Sequence, residues 1–189
     1  VSLRVLRCIR EEEMGLVEVR VQSLGLDRSS NTPVVILEEV GGERVLPIWI
    51  GPGEASAIAM QLADMKFARP LTHDLLVSLL GGLGGSLSRV LITRVAENTY
   101  YAELIIHRNG EVISIDARPS DSIAVALRVR ARIFAQDDLL ERTAVEIAEE
   151  EAVPDEGDPL SGEPGSMRAE ELNEYLRRLN PEDFGRFSP

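Results

Sequence analysis

The chain has 189 residues, 44% of them hydrophobic, and a formal net charge of −12. That length suits one domain of ordinary size with room for an appendage, and no apolar run approaches the twenty residues of a membrane-spanning helix. Cys8 is the single cysteine, so no intramolecular disulfide can form, and a reducing cytoplasm is the expected setting. The N-terminus, Val1-Ser2-Leu3-Arg4, lacks the pattern of a signal peptide.

The charge divides unevenly. Residues 1–138 carry 15 Lys and Arg against 18 Asp and Glu, a net of −3, whereas residues 139–189 carry 5 against 14, a net of −9. The body is close to neutral and the acidity belongs to the tail. Such a body can hold a local arginine-lined groove, but it is no strongly basic nucleic-acid clamp.

In chain order, residues 16–24 alternate as a half-buried strand, and residues 25–31 form a polar loop. Residues 33–39 and 44–50 read as two strands around Gly41-Gly42, a pair suited to a tight hairpin. Pro47 cannot donate to a ladder, which marks that strand as an edge or bulged one. Trp49, between Ile48 and Ile50 in an apolar run, is expected to be largely buried.

Gly51-Pro52-Gly53-Glu54 breaks the strand and launches a helix to about Phe67, with Ala55, Ile58, Ala59 and Leu62 at helical spacing. Pro70 holds Arg69 extended, so the next helix starts after it, with Thr72 as N-cap. Leu75, Leu76, Leu79 and Leu80 are expected to form its buried stripe, and the glycines at 81, 82, 84 and 85 to end it. Residues 87–96, 99–107 and 111–117 form a β-meander with turns at Glu97-Asn98 and Asn109-Gly110. Ser120 opens a helix carrying Ile123, Ala124 and Leu127; residues 132–135 add a short strand, and a helical stretch follows from Asp137. This mixed order predicts an α+β fold with a largely antiparallel sheet.

The domains expected are a body over residues 1–140, an acidic Pro/Gly-rich linker over 141–165, and a C-terminal amphipathic helix and tail over 166–189. Ser166 caps that last helix, which carries Leu172, Tyr175, Leu176 and Leu179 on one side and is too short to be stable undocked.

Chemistry-bearing residues gather at element ends. Gly51-Pro52-Gly53 lacks the third glycine of a dinucleotide-binding turn, since position 56 is Ser, and Glu54 would repel a phosphate there. Glu54, Asp74 and Asp121 each open a helix, where the dipole alone explains an acid. His73 is a candidate general base or a plain surface histidine; Arg69 and Arg118 can hold a phosphate or pair with the acids. Several carboxylates brought together could bind Mg²⁺, and a metal with an arginine suffices for phosphodiester cleavage. No CxxC, HExxH, Walker or G-x-S-x-G motif is present, which leaves zinc, P-loop and serine-hydrolase chemistry unsupported.

Three stretches in register carry a family resemblance: Leu46-Pro47-Ile48-Trp49-Ile50-Gly51 with Glu54-Ala55, Arg69-Pro70-Leu71-Thr72-His73-Asp74-Leu75, and Arg118-Pro119-Ser120-Asp121-Ser122-Ile123-Ala124. Over about residues 3–140 the chain resembles the bifunctional nuclease domain, of the bacterial single-domain type. The resemblance implies an α+β domain, a homo-oligomer, and hydrolysis of both DNA and RNA. On that footing Glu54, His73, Asp74, Asp116 and Asp121 are the catalytic candidates. Asp74, Asp116 and Asp121 would bind a divalent metal such as Mg²⁺, while Arg69, Arg118 and Ser120 would hold the nucleic acid. The competing expectation is a non-enzymatic oligomeric scaffold or regulatory module.

Overall fold

The structure, a computed structural model, describes residues 3–5, 15–27, 30–97 and 99–142. The expected linker and C-terminal helix therefore lie outside the described residues, apart from the last two positions of the body's final helical stretch.

Among the described residues eight strands form one sheet, in the order β1-β7-β6-β5-β8-β2-β3-β4. They are β1 (Leu3–Val5), β2 (Leu16–Leu26), β3 (Pro33–Glu39), β4 (Val45–Trp49), β5 (Gly85–Ala96), β6 (Thr99–Arg108), β7 (Glu111–Ala117) and β8 (Arg132–Gln136). All pairs are antiparallel except β5 with β8. That parallel pair joins the β5-β6-β7 meander to the β2-β3-β4 meander. The fold is α+β, as the order of elements predicted.

The turn between β6 and β7 follows from local chemistry. Asn109 and Gly110 take φ of 51° and 80°, the left-handed pair a two-residue turn requires. Pro47 lies in β4, which is the edge of the sheet, so its missing N–H leaves no gap in an interior ladder. The β1 strand, only three residues long, was not among the expected elements.

Three helices pack on the sheet: α1 (Pro52–Leu62), α2 (Thr72–Gly82) and α3 (Pro119–Val129). Residues 137–142 are also helical. The core is one cluster. It joins Ala55, Ile58 and Ala59 of α1 and Ile123, Ala124 and Ala126 of α3 to Val35, Leu37, Leu46, Ile48, Val90, Ile92, Ala102, Leu104 and Ala135 of the sheet. Leu139 and Leu140 close it from the final helical stretch. The small residues of α1 and α3 let the two helices approach each other closely over the sheet.

Four expectations are corrected. The α1 helix stops at Leu62 rather than Phe67: Ala63 is its C-cap and Asp64 has φ of 48°. Leu71, not Thr72, is the N-cap of α2, and Arg118 caps α3, so each motif proline lies closer to its helix than a cap at the hydroxyl allows. Trp49 is 51% exposed. The period of two decides this: Leu46, Ile48 and Ile50 take the inward positions, and Trp49 points outward, where its Nε1–H donates to Asp27 Oδ2 at 3.0 Å.

The fourth correction is the largest. No residue of α2 is buried, and Leu75, Leu76 and Leu79 are 50%, 44% and 55% exposed. Only Leu80 packs partly against the core. It lies over Gly85, where an added Cβ would come within 2.6 Å of a Leu80 methyl. The apolar spacing of α2 was read correctly as an apolar face, but in this chain that face is turned outward.

Candidate functional site

Each of the three helices carries an acid three residues past its N-cap: Glu54 after Gly51, Asp74 after Leu71, Asp121 after Arg118. The helix dipole favours a carboxylate at that position in every case. What differs is the partner each acid finds across helices.

Arg118 joins two of them. Its Nη1 lies 2.8 Å from Glu54 Oε1, its Nε donates to Asp121 Oδ2 at 2.8 Å, and its Nη2 donates to Asp121 Oδ1 at 3.3 Å. His73 Nε2 stands 3.2 Å from the same Asp121 Oδ1. One continuous chain, Glu54–Arg118–Asp121–His73, thus ties together the first turns of α1, α3 and α2. Arg118 is its open member, with a side chain 65% exposed against 14% for His73. A guanidinium has five N–H donors, so three contacts leave two of them pointing elsewhere.

Electrostatics fixes the charge states of the arginine and its acid. Burial alone would raise the Asp121 carboxyl, but hydrogen bonds from Arg118 and His73 and the Arg118 charge outweigh it and hold the group below its ordinary value. The Asp121 hydrogen bond, and then Glu54, push Arg118 above its ordinary value. Both are charged at neutral pH.

The Gly51-Pro52-Gly53 turn has its explanation here. A Cβ on Gly51 would meet Glu54 Oε2 at 2.3 Å. Glycine at 51 leaves room for the Glu54 carboxylate to fold back beside its own N-cap, where Arg118 meets it.

The third acid goes a different way. Asp74 Oδ1 pairs with Arg128 Nε, and Asp74 Oδ2 accepts the Leu71 N–H at 2.9 Å. Arg128 is buried, its side chain 6% exposed, and its Nη1 also donates to the Ala124 carbonyl at 2.9 Å and reaches the Ala57 carbonyl at 3.5 Å. It pins α1, α2 and α3 together. Burial pushes the Asp74 carboxyl up, but the Leu71 N–H, Arg128 and His73 together bring it below its ordinary value.

The remaining candidates stand apart. Asp116 is exposed on β7 opposite Glu103, and its side chain makes no hydrogen bond or ion pair among the described residues. Arg69 is exposed and likewise unpaired among the described residues. Ser120 is buried, 6% exposed, in the first turn of α3. Asp74, Asp116 and Asp121 do not converge, and among the described residues no three His, Cys, Asp or Glu side chains are grouped to hold a metal ion. Arg128 was missed by sequence reasoning. In sequence it is marked only as the one basic residue of α3, in the last turn, and its partner is not encoded there.

Comparison with known proteins bears on this arrangement. The family model for the bifunctional nuclease domain matches residues 35–148, which include all four members of the chain from Glu54 to His73. The chain belongs to the bifunctional nuclease domain family. An uncharacterized protein of Mycobacterium tuberculosis is 40% identical over 168 residues, covering 88% of this chain and 97% of that protein. Bifunctional nuclease 2 of Oryza sativa is 26% identical over 132 residues, 68% of this chain and 38% of the plant protein. Bifunctional nuclease 1 of Arabidopsis thaliana is 25% identical over 133 residues, 69% and 39% respectively. The chain therefore spans well under half the length of these two plant nucleases. Among the described residues no helix is long and apolar enough to cross a membrane.

Proposed function

We propose that this protein hydrolyses phosphodiester bonds of DNA and RNA at the Glu54–Arg118–Asp121–His73 chain. The observation that carries the proposal is the His73–Asp121 contact beside an exposed, doubly anchored Arg118. In the tautomer that donates from Nε2 to Asp121, the His73 lone pair is on Nδ1. Asp121 holds that orientation and stabilises the imidazolium when His73 takes a proton from the attacking water. Arg118 offers its two uncommitted N–H groups to the scissile phosphate, and Glu54 keeps the guanidinium in place.

Asp74 serves the fold in this proposal, through Arg128. Arg69, exposed ahead of α2, is a second phosphate contact along the nucleic-acid path, and Asp116 and Ser120 are given no chemical step. The divalent metal expected from the sequence has no grouped donor set among the described residues, and no step runs through one. A cytoplasmic location and a homo-oligomeric state, the latter implied by the family resemblance, complete the proposal.

A second reading is favoured by one observation: the leucine face of α2 is the kind of surface that binding modules use. The purified chain, incubated with labelled single- and double-stranded DNA and RNA, with Mg²⁺ and with a chelator, separates the two. Cleavage under either condition supports the nuclease. Oligomerisation or binding with all four substrates intact supports the module.

A further inference from the structure

Among the described residues, the outer face of α2 gathers most of the exposed large hydrophobic side chains. Leu75, Leu76 and Leu79 are joined by Leu83, 64% exposed at the helix C-cap. Four half-exposed leucines on one helix form a patch of a kind that soluble proteins seldom leave open to water.

The chain contains a segment of matching character. Leu172, Tyr175, Leu176 and Leu179 follow the i, i+3, i+4, i+7 spacing of one helix face, and Glu170, Glu171 and Glu174 fall outside it. These residues lie outside the described ones. At about fifteen residues such a helix is marginal alone and needs a surface to form on. The segment is itself neutral, with Arg168, Arg177 and Arg178 against Glu170, Glu171 and Glu174, so the apolar match and not net charge selects the surface.

Reach is sufficient. The described body ends at Arg142, and residues 143–165 connect it to Ser166. A coil of 23 residues spans about 27 Å on average, against a radius of gyration of about 14 Å for a body of this size. A tethered segment at that distance faces the patch at an effective concentration near the millimolar range, far above that of a free partner in dilute solution.

We infer that residues 166–180 dock on the leucine face of α2 within the same chain, as a helix that lays Leu172, Tyr175, Leu176 and Leu179 against Leu75, Leu76, Leu79 and Leu83. Its acids then lie beside the helix that carries His73. The docking itself does not depend on the nuclease reading.

The test uses the full chain. With Cys8→Ser removing the native thiol, Leu79→Cys and Leu176→Cys are combined and the protein is oxidised mildly at low micromolar concentration. An intramolecular disulfide is expected, running as a compact monomer on a non-reducing gel, at least tenfold faster than in a control pairing Leu176→Cys with Arg20→Cys on the exposed side of β2. A disulfide-linked dimer formed by Leu79→Cys alone would overturn the inference in favour of a second copy on this face. Equal rates for the two pairs would overturn it outright. Hydrogen exchange on the unsubstituted chain gives an independent reading. Amides of residues 170–180 should be protected, and Leu79→Glu should raise their exchange at least tenfold; exchange at the unprotected rate in the parent chain contradicts docking.

Discussion

Two arginine–carboxylate clusters stand side by side at the helix starts, built from nearly the same local sequence and put to different use. Both begin with Arg-Pro and place an aspartate five or three residues on, at Asp74 and Asp121. In one, Asp74 is gripped by Arg128 in a buried joint among three helices. In the other, Asp121 is held by an Arg118 that is mostly in water and shares it with His73 and Glu54. An identical acid at an identical helix position is therefore no guide to its role. In the proposed reading the burial of its partner separates a structural pair from a reactive one, because a guanidinium 6% exposed presents little of itself to a ligand while one 65% exposed can meet it.

The largest expected effect is on the buried side of this comparison. Asp74→Ala strands a guanidinium that is 6% exposed and also uncovers the Leu71 N–H, so it should cost about 3 kcal/mol, the lower end for breaking a buried pair because Asp74 itself is a third exposed. Urea denaturation measures it. Arg118→Ala, on the exposed side, should cost less than about 1 kcal/mol in the same experiment. Equal losses would erase the distinction between the two clusters.

Next in size is the response to acid. Asp74 and Asp121 both have carboxyls held below their ordinary values, so each contributes stability that is complete above the unfolded value and lost as the pH falls through the lower folded one. Melting temperature should hold from neutral pH down to about 4 and then fall. In Asp74→Asn the part of that fall due to Asp74 should vanish, and a melting curve with unchanged acid sensitivity would count against the pair.

Gly51→Ala sharpens the exposed side. The added methyl conflicts with the Glu54 carboxylate, which must leave Arg118. Stability should change by about 1 kcal/mol or less. Nucleic-acid cleavage should drop about tenfold, the cost of misplacing one phosphate contact, and Glu54→Gln should match it. The last variant, Trp49→Ala, lies at the edge of the sheet, away from both clusters. With the ring half in water and one exposed hydrogen bond to Asp27, the loss should be about 1 kcal/mol rather than the several expected for a core aromatic.

Apart from the three-residue β1, the strands were legible in the sequence because period two and Asn109-Gly110 are local signals, and so was the α+β class. Which side of an apolar element faces the core was not. The leucines of α2 and the Ile48-Trp49-Ile50 run both read as burial, yet apolar spacing identifies a face without saying what covers it. At the site, Glu54, His73, Arg118 and Asp121 were all selected as residues at element ends, and the structure brings these four together. Asp116 was selected on the same ground and is exposed on β7, with no side-chain partner among the described residues. Arg128 escaped notice because its partner is 54 positions away, and nothing in a linear pattern encodes a contact at that separation.

The central claim, that the exposed cluster and not the buried one is the reactive centre, is tested most directly by His73→Gln. Cleavage of labelled DNA and RNA by this variant should be compared with that of the parent chain, with melting temperatures recorded for both. The account predicts a loss of at least about a hundredfold, the scale of a general base, with the melting temperature within a few degrees of the parent. Cleavage that persists at the parent rate in a folded His73→Gln protein would contradict it.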